Sequence, residues 1–179
     1  ATRLAIGEPQ QKPAVIVIAG PTQDLLPIDQ QALLDYARSG GSILFMFEPD
    51  ETPDTFKQFL SRYAVVIGEG EAADIASFVA PNPTFIQVKK SNSQLPPHPV
   101  TEGFEVLYLP GTTHFGWAID PMSVPLSDDK TPIVQQRRLA STTLSSWAEI
   151  NPNTLEFDIE QDAPGPLPIA VVVEAIGEI

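Results

Sequence analysis

The best candidates in this sequence for a nucleophilic catalytic site are one histidine and two serines. His114 follows two threonines, and Ser145 and Ser146 directly precede a tryptophan. Together with Asp120 they could form a Ser-His-Asp arrangement, in which the histidine removes the serine proton. The Gly-x-Ser-x-Gly turn that exposes a serine nucleophile is missing. Because serines in such loops are more often capping or turn residues, we predict no catalytic residue here.

Four carboxylates, Glu48, Asp50, Glu51 and Asp54, follow an apolar run of the sequence. Carboxylate oxygens are the ligands that Mg²⁺ and Ca²⁺ prefer. The alternating acidic pattern of a calcium loop is absent, however, and acidic residues at the start of a helix also stabilise its dipole. We therefore predict no metal site and no cofactor.

Gly20, Pro21 and Thr22 form a turn after another apolar run. Open α/β sheets bind ligands at the carboxyl ends of their strands, and backbone N–H groups at the start of a helix can hold an anion there. Pro21 has no N–H to donate, and neither the dinucleotide nor the P-loop glycine pattern is present. We interpret the turn as mainly structural.

The residues of this sequence that could contact a small ligand at such a sheet edge are Pro21, Thr22, Glu48, Asp50 and His114. If the flanking apolar runs are neighbouring parallel strands, these side chains would surround one cleft at the strand carboxyl ends. Such a cleft could take a small ligand, for example a glycan or a peptide.

The elements that would position these residues begin with a strand–helix–strand unit. Ala14–Ala19 and Ile43–Phe47 are short apolar runs, as in buried strands, and apolar residues recur at helical spacing between them. Gly40 and Gly41 are expected to end the helix, because glycine adopts a left-handed conformation without steric cost. Two buried strands joined by one helix predict an α/β fold, with a parallel sheet covered on both faces.

The rest of the chain alternates between further apolar runs and turn residues. A second helix is predicted from a cap at Thr52 or Asp54 to about Tyr63, followed by a strand at Ala64–Ile67. Many of the 19 prolines fall in later connections, so the second half is expected to be β-rich and loop-rich. Its predicted strands are Thr84–Val88, Glu105–Leu109, Phe115–Ile119, Pro132–Leu139 and Pro168–Ala175.

Length and charge limit the classes of partner. A chain of 179 residues fits one domain, and its net charge of −13 would repel nucleic-acid phosphates and anionic lipids. The absence of cysteine excludes a cysteine nucleophile and disulfides. No apolar run has the about 20 residues that a membrane helix needs. The pattern at both ends suggests that residues 1–179 are one domain cut from a longer protein.

Four segments of the sequence together resemble one family. The block from Val15 to Asp50, VIVIAGPTQDLLPIDQQALLDYARSGGSILFMFEPD, is similar to the opening of the auxiliary domain of ABC-type transport systems, the gliding-motility (GldG-like) group. HPVTEGF, LASTTLSSWAEI and DAPGPLPIAVVVEA resemble later blocks of that family in the same order. Thr142-Thr143 stands where the family has a Thr-Ser pair. The positions that recur in the family are Gly20, Pro21, Gly40, Gly41, His98, Pro99, Trp147, Gly165 and Pro166.

The resemblance implies a flavodoxin-like or class I glutamine-amidotransferase-like three-layer sandwich, with a mostly parallel central sheet. It also implies a location on the outer side of the cytoplasmic membrane, tethered by helices outside this sequence, with ABC permease and ATPase subunits as partners. The family supplies no catalytic residues, and its recurrent positions have local structural explanations here. The expected function is a non-catalytic interaction or ligand-binding domain. The alternatives are a small-ligand module and a degenerate amidotransferase-like enzyme.

Overall fold

The computed structural model describes residues 13–117, 133–151 and 153–176. This part of the chain contains two α-helices, α1 (Pro27–Arg38) and α2 (Asp54–Ser61). Neither helix is both long and apolar enough to span a bilayer. The strands of the described part are β1 (Val15–Ala19), β2 (Ser42–Met46), β3 (Val65–Ile67), β4 (Glu71–Asp74), β5 (Phe78–Val79), β6 (Asn82–Lys89), β7 (Val106–Pro110), β8 (Phe115–Trp117), β9 (Ile133–Ser141), β10 (Ser146–Glu149), β11 (Ala163–Pro164) and β12 (Pro168–Ile176).

The predicted strand–helix–strand unit is confirmed. β1 and β2 pair in parallel, with Val17 opposite Leu44, and α1 connects them. α1 ends where predicted: Gly40 has a φ of 81°, and the N–H groups of Gly40 and Gly41 donate to the carbonyls of Ala37 and Tyr36. These two bonds satisfy carbonyls that a helix end otherwise leaves open, which is why the chain turns here.

The prediction of a flavodoxin-like sandwich with a mostly parallel central sheet is wrong. β1–β2 is the parallel pair, and every other strand pairing in the described residues is antiparallel, within several small sheets. β3 is followed by the short turn Gly68–Gly70 and then by β4, so no helical crossover returns the chain to lie parallel. A parallel pairing needs a connection of about a dozen residues or more. β3 pairs instead with β8, and the fold is mostly β-sheet.

The expectation that both faces of the parallel strands are buried is wrong as well. Ile16 and Ile18 face the helices, where Phe45 packs edge-on against Phe56 with 6.3 Å between ring centroids. The alternate side chains on the opposite face, such as Val17 and Leu44, are about half exposed.

The helix α2 is shorter than predicted and has a different cap. Phe56, Phe59 and Leu60 form its buried face as expected. Its N-cap is Pro53, without a side-chain bond, while the Thr52 hydroxyl donates to the Glu48 carbonyl. Thr52 therefore closes the preceding loop rather than capping the helix.

The second half is β-rich, as predicted. The five expected strands correspond to β6, β7, β8, β9 and β12, and residues 118–119 lie outside the described residues. β4 and β10 were not predicted as strands; they pair with each other and bury all their side chains except that of Glu71. These two strands contribute Ala72 and Ala148 to a second apolar cluster, which is separate from the cluster under the helices. Its members are Ala72, Ile86, Val88, Leu95, Ala140, Ala148, Leu167 and Ile169.

Candidate functional site

A cavity of about 530 Å³ opens where the loop after β2 meets the ends of β4 and β10. Two of the predicted ligand-contacting residues, Glu48 and Asp50, line it. Pro21, Thr22 and His114 are not among its lining residues, so the structure does not gather the predicted set into one site. The full lining is Glu48, Pro49, Asp50, Glu51, Glu71, Asn82, Thr84, Gly111, Glu149, Ile150 and Leu155.

The wall of the cavity is held by a contact between two tight turns. Asp50 has a φ of 56°, and its Oδ1 accepts a hydrogen bond from the N–H of Gly70 at 3.1 Å. Gly70 has a φ of 82°, which disfavours any side chain. This bond fixes the loop after β2 against the start of β4, although the two residues are 20 positions apart.

The cavity is acidic. Its carboxylates come from one loop (Glu48, Asp50 and Glu51) and from two strands (Glu71 and Glu149), and no basic side chain is among the described residues that line it. Within the described ranges, no group of three or more histidine or acidic residues is arranged to hold a metal ion. The negative charge of the cavity walls therefore favours the approach of cationic groups.

Glu149 has mainly a structural role in this wall. It is 5% exposed, and it accepts hydrogen bonds from Trp147 Nε1 at 2.9 Å and from the Asn151 N–H at 2.9 Å. Trp147 is buried and packs edge-on against Phe157, with 6.3 Å between ring centroids. Trp147 therefore lies between β10 and the loop that contains Phe157.

Sequence reasoning missed the residues that β4 and β10 contribute to the cavity. The segment Glu71–Asp74 has only four residues, which is too short for alternating apolar and polar side chains to indicate a strand. The side chains on both faces of this strand are covered as well. One signal for Glu149 was available: a carboxylate two positions after a tryptophan lies on the same side of a strand and can accept the indole N–H.

The Ser-His-Asp hypothesis finds no support in the described residues. Ser146 is buried, and its Oγ donates to the Thr143 carbonyl at 2.7 Å and contacts Thr142 Oγ1 at 2.6 Å. No hydrogen bond joins Ser146 to His114, and Asp120 lies outside the described residues. Ser146 is thus a structural residue at the start of β10.

His114 packs behind the turn that follows β3. A Cβ at Gly68 would overlap its ring, and the Gly68 N–H donates to the His114 carbonyl at 2.8 Å. The buried Nδ1 of His114 has no partner within the described part of the chain. Burial disfavours the imidazolium and lowers the pKa of His114 below its usual value.

This burial predicts a pH dependence of stability. The unfolded chain binds the His114 proton below a pH of about 6.5, whereas the folded protein resists it. Stability contributed by neutral His114 is therefore present above that pH and falls as the pH drops toward the lowered pKa of the folded state. Urea midpoints measured between about pH 7.5 and 5.5 should fall more for the wild type than for His114→Gln. Equal falls in the two proteins would contradict the prediction.

His98 is a loop residue that begins a short turn. Its Nδ1 accepts a hydrogen bond from the Val100 N–H at 3.1 Å, which caps a short 3-10 turn over Pro99–Thr101. The Thr101 hydroxyl contacts the carbonyls of Pro96 and His98. The HPVT segment is therefore a self-contained turn.

Two buried aspartates organise the remaining loops. Asp74 is fully buried and accepts hydrogen bonds from the N–H groups of Ala76, Ser77 and Thr143 and from the Thr143 hydroxyl. Asp162 accepts from the N–H groups of Ile150 and Asp158. Neutral donors satisfy both carboxylates, as buried charges require, and thereby fix the long connections.

The segments LASTTLSSWAEI and DAPGPLPIAVVVEA lock together in the structure. β10 pairs with β11 and β9 with β12, and the Gly165 N–H donates to the Ser146 carbonyl at 2.8 Å. A Cβ at Gly165 would overlap Ser146 Oγ, and the Leu167 N–H donates to Thr142 Oγ1 at 2.7 Å. These polar side chains therefore support the fold.

The fold and the cavity together define a mostly β domain, with one parallel strand–helix–strand unit and an acidic cavity beside it. No protein-family model matches the sequence, and a search of curated proteins gives no match. Among solved structures, the chain is similar to the domain described as "mmIFT52 N-terminal domain", with a TM-score of 0.53 and 13% identity. The match covers 74% of this chain and 54% of that one, so this chain spans about half of its length. At this identity the likeness concerns the fold alone.

Proposed function

We propose that this chain is a non-catalytic interaction domain of an auxiliary membrane protein that works beside an ABC transporter, on the outer side of the cytoplasmic membrane. The transporter setting rests on the resemblance of four ordered sequence segments to the GldG-like family. The interaction role is carried by one observation: large apolar side chains stand exposed at several places on the domain. Val17 is 55% exposed, Leu144 84% and Ile159 83%.

The hydrogen-bond pattern supports a role without catalysis. The polar side chains of the family-like segments, including Ser146, Trp147 and Thr142, are engaged in internal hydrogen bonds. Acyl-transfer catalysis needs a nucleophile within hydrogen-bond reach of its base. Ser146 contacts two threonines instead.

The proposal can be tested by photo-crosslinking in the full-length protein within its own membrane. A photoreactive residue placed singly at Val17, Leu144 or Ile159 should crosslink to the permease subunit of an ABC transporter, because exposed apolar surface is where a partner on the outer side of the membrane would bind. The matched control is the same residue at Lys57, on the solvent side of α2. Absence of transporter crosslinks from all three positions would overturn the proposal. Hydrolysis of ester or amide substrates that His114→Gln or Ser146→Ala abolishes would overturn it too.

A second candidate function is a small-ligand module for a glycan or peptide, favoured by the cavity that contains Glu48 and Asp50. Ligand binding stabilises the folded state by mass action. A ligand-dependent rise in melting temperature that Glu48→Gln removes would favour this second function. A pure interaction domain shows no such rise.

A further inference from the structure

The parallel strands leave one apolar face open. Val15, Val17, Leu44 and Met46 point away from the helices and are between 48% and 55% exposed. The register places Val17 directly beside Leu44, so the four side chains form one continuous patch. We call these four residues the open sheet face.

An uncovered face is unusual for parallel strands. Parallel β-strands are ordinarily buried on both sides, because the helices that connect them pack on both faces of the sheet. Here both α1 and α2 contribute to a single cluster with Ile16, and nothing in the described part of the chain covers the open sheet face. In most parallel sheets a helix would form the layer that covers this face.

Charge is concentrated at one end of the open sheet face. β2 runs directly into Glu48, Asp50 and Glu51, which line the acidic cavity. Between residues 13 and 51 the only basic residue is Arg38, which lies at the end of α1, near the start of β2. An occupant of this face thus meets apolar side chains along the strands and carboxylates at their carboxyl end.

We propose that the open sheet face docks an amphipathic helix of a partner protein, with lysine or arginine residues at the end that meets Glu48, Asp50 and Glu51. This deepens the proposed interaction role and rests on that role, not on the transporter setting. Charge complementarity selects a basic partner over a second copy of this chain. The net charge of each copy is −13, and face-to-face packing would bring acidic surfaces together. A helix fits because its apolar side can replace the missing layer of the sheet.

The test uses a synthetic amphipathic helical peptide of about 18 residues, long enough to hold helical structure, with a leucine side and lysines in its last turn. A second peptide carries glutamate in place of each lysine. Amide NMR spectra of the domain should change in β1, β2 and the Glu48–Glu51 loop on addition of the lysine peptide. The glutamate peptide should bind at least about tenfold more weakly, because rim charges set electrostatic complementarity.

Two sets of variants locate the contact. Val17→Thr combined with Leu44→Thr keeps strand-forming residues but removes apolar contact, and should weaken binding of the lysine peptide at least about tenfold. Ile28→Thr is the matched control: Ile28 is 57% exposed but lies on α1, so the affinity should stay unchanged. Glu48→Gln with Glu51→Gln should reduce both the affinity and its salt dependence.

Several results would overturn the inference. They are failure of the lysine peptide to bind, equal binding of both peptides, spectral changes outside the open sheet face, and affinity that Val17→Thr with Leu44→Thr leaves intact. Sedimentation equilibrium that shows a dimer lost in the same double variant would assign the face to a second copy. Peptide binding without any transporter crosslink in membranes would retain the helix-docking inference and remove the proposed transporter setting.

Discussion

Replacing Asp74 with alanine is expected to lower the free energy of unfolding by about 4 kcal/mol, because it leaves several buried donors without an acceptor. The Asp74 carboxylate is fully buried and accepts four hydrogen bonds, two of them from Thr143, which lies 69 residues later in the chain. The loss is a large part of the stability of an ordinary domain, about 5–15 kcal/mol. Urea denaturation followed by circular dichroism measures it.

Asp74→Asn provides a graded version of this experiment. Its single carbonyl oxygen can keep the three bonds that Oδ1 now accepts, while its amide group would face the Thr143 N–H, donor against donor. We expect a loss of about 2 kcal/mol. Asp35→Ala is the control, since Asp35 is exposed on α1 and should change stability by no more than about 0.5 kcal/mol. Equal losses for Asp74→Ala and Asp35→Ala would show that the buried carboxylate does not hold these loops.

Gly70→Ala is expected to cost more than about 3 kcal/mol, because a conformational and a steric penalty add at this position. Gly70 has a φ of 82°, and a Cβ there would lie 2.5 Å from the carbonyl oxygen of Glu149. Since that oxygen belongs to the backbone at the end of β10, the overlap is relieved only if the strand or the turn at residues 68–70 shifts. The same shift would move the cavity wall.

Gly103→Ala isolates the conformational part of this penalty. Gly103 has a φ of 87°, yet no atom would lie within 4 Å of a Cβ built on it. Its alanine variant should lose only about 1 kcal/mol, the cost of a left-handed backbone for a residue with a side chain. Thermal or urea unfolding of the two variants measures the difference. If Gly70→Ala were no more destabilised than Gly103→Ala, the contact between Gly70 and Glu149 would have no energetic importance.

The two Asp74 variants test one property of the domain, which is that buried carboxylates hold its connections in place. Asp74, Glu149 and Asp162 each bind backbone N–H groups of long connections. Because these carboxylates are used to satisfy the backbone, they are not free to act on a substrate. The surfaces of the described residues that remain available for function include the acidic cavity, the open sheet face and the exposed side chains of Leu144 and Ile159.

The parts of the fold that could be predicted from the sequence are those set by local signals. Strand β1, helix α1 and strand β2 follow from apolar spacing over a few turns, and Gly40 ends α1 through a conformation that needs no tertiary contact. The buried face of α2 follows from the same helical period. For the candidate site, local signals gave only the acidic loop with Glu48 and Asp50.

What the sequence by itself determined is the identity of most strands and helices, because backbone preference and side-chain period act between near neighbours. Only the tertiary structure decided how the strands pair and which residues meet. Thr143 reaches Asp74 across 69 positions, and Glu149 joins Glu48 in one cavity through strands that the sequence pattern did not show. The sequence pattern predicts a parallel sheet that continues beyond β2. The turn between β3 and β4 is too short to hold the crossover that such a sheet needs. Pairing depends on connection length and on partners distant in the chain, and neither is recorded in the period of any one segment.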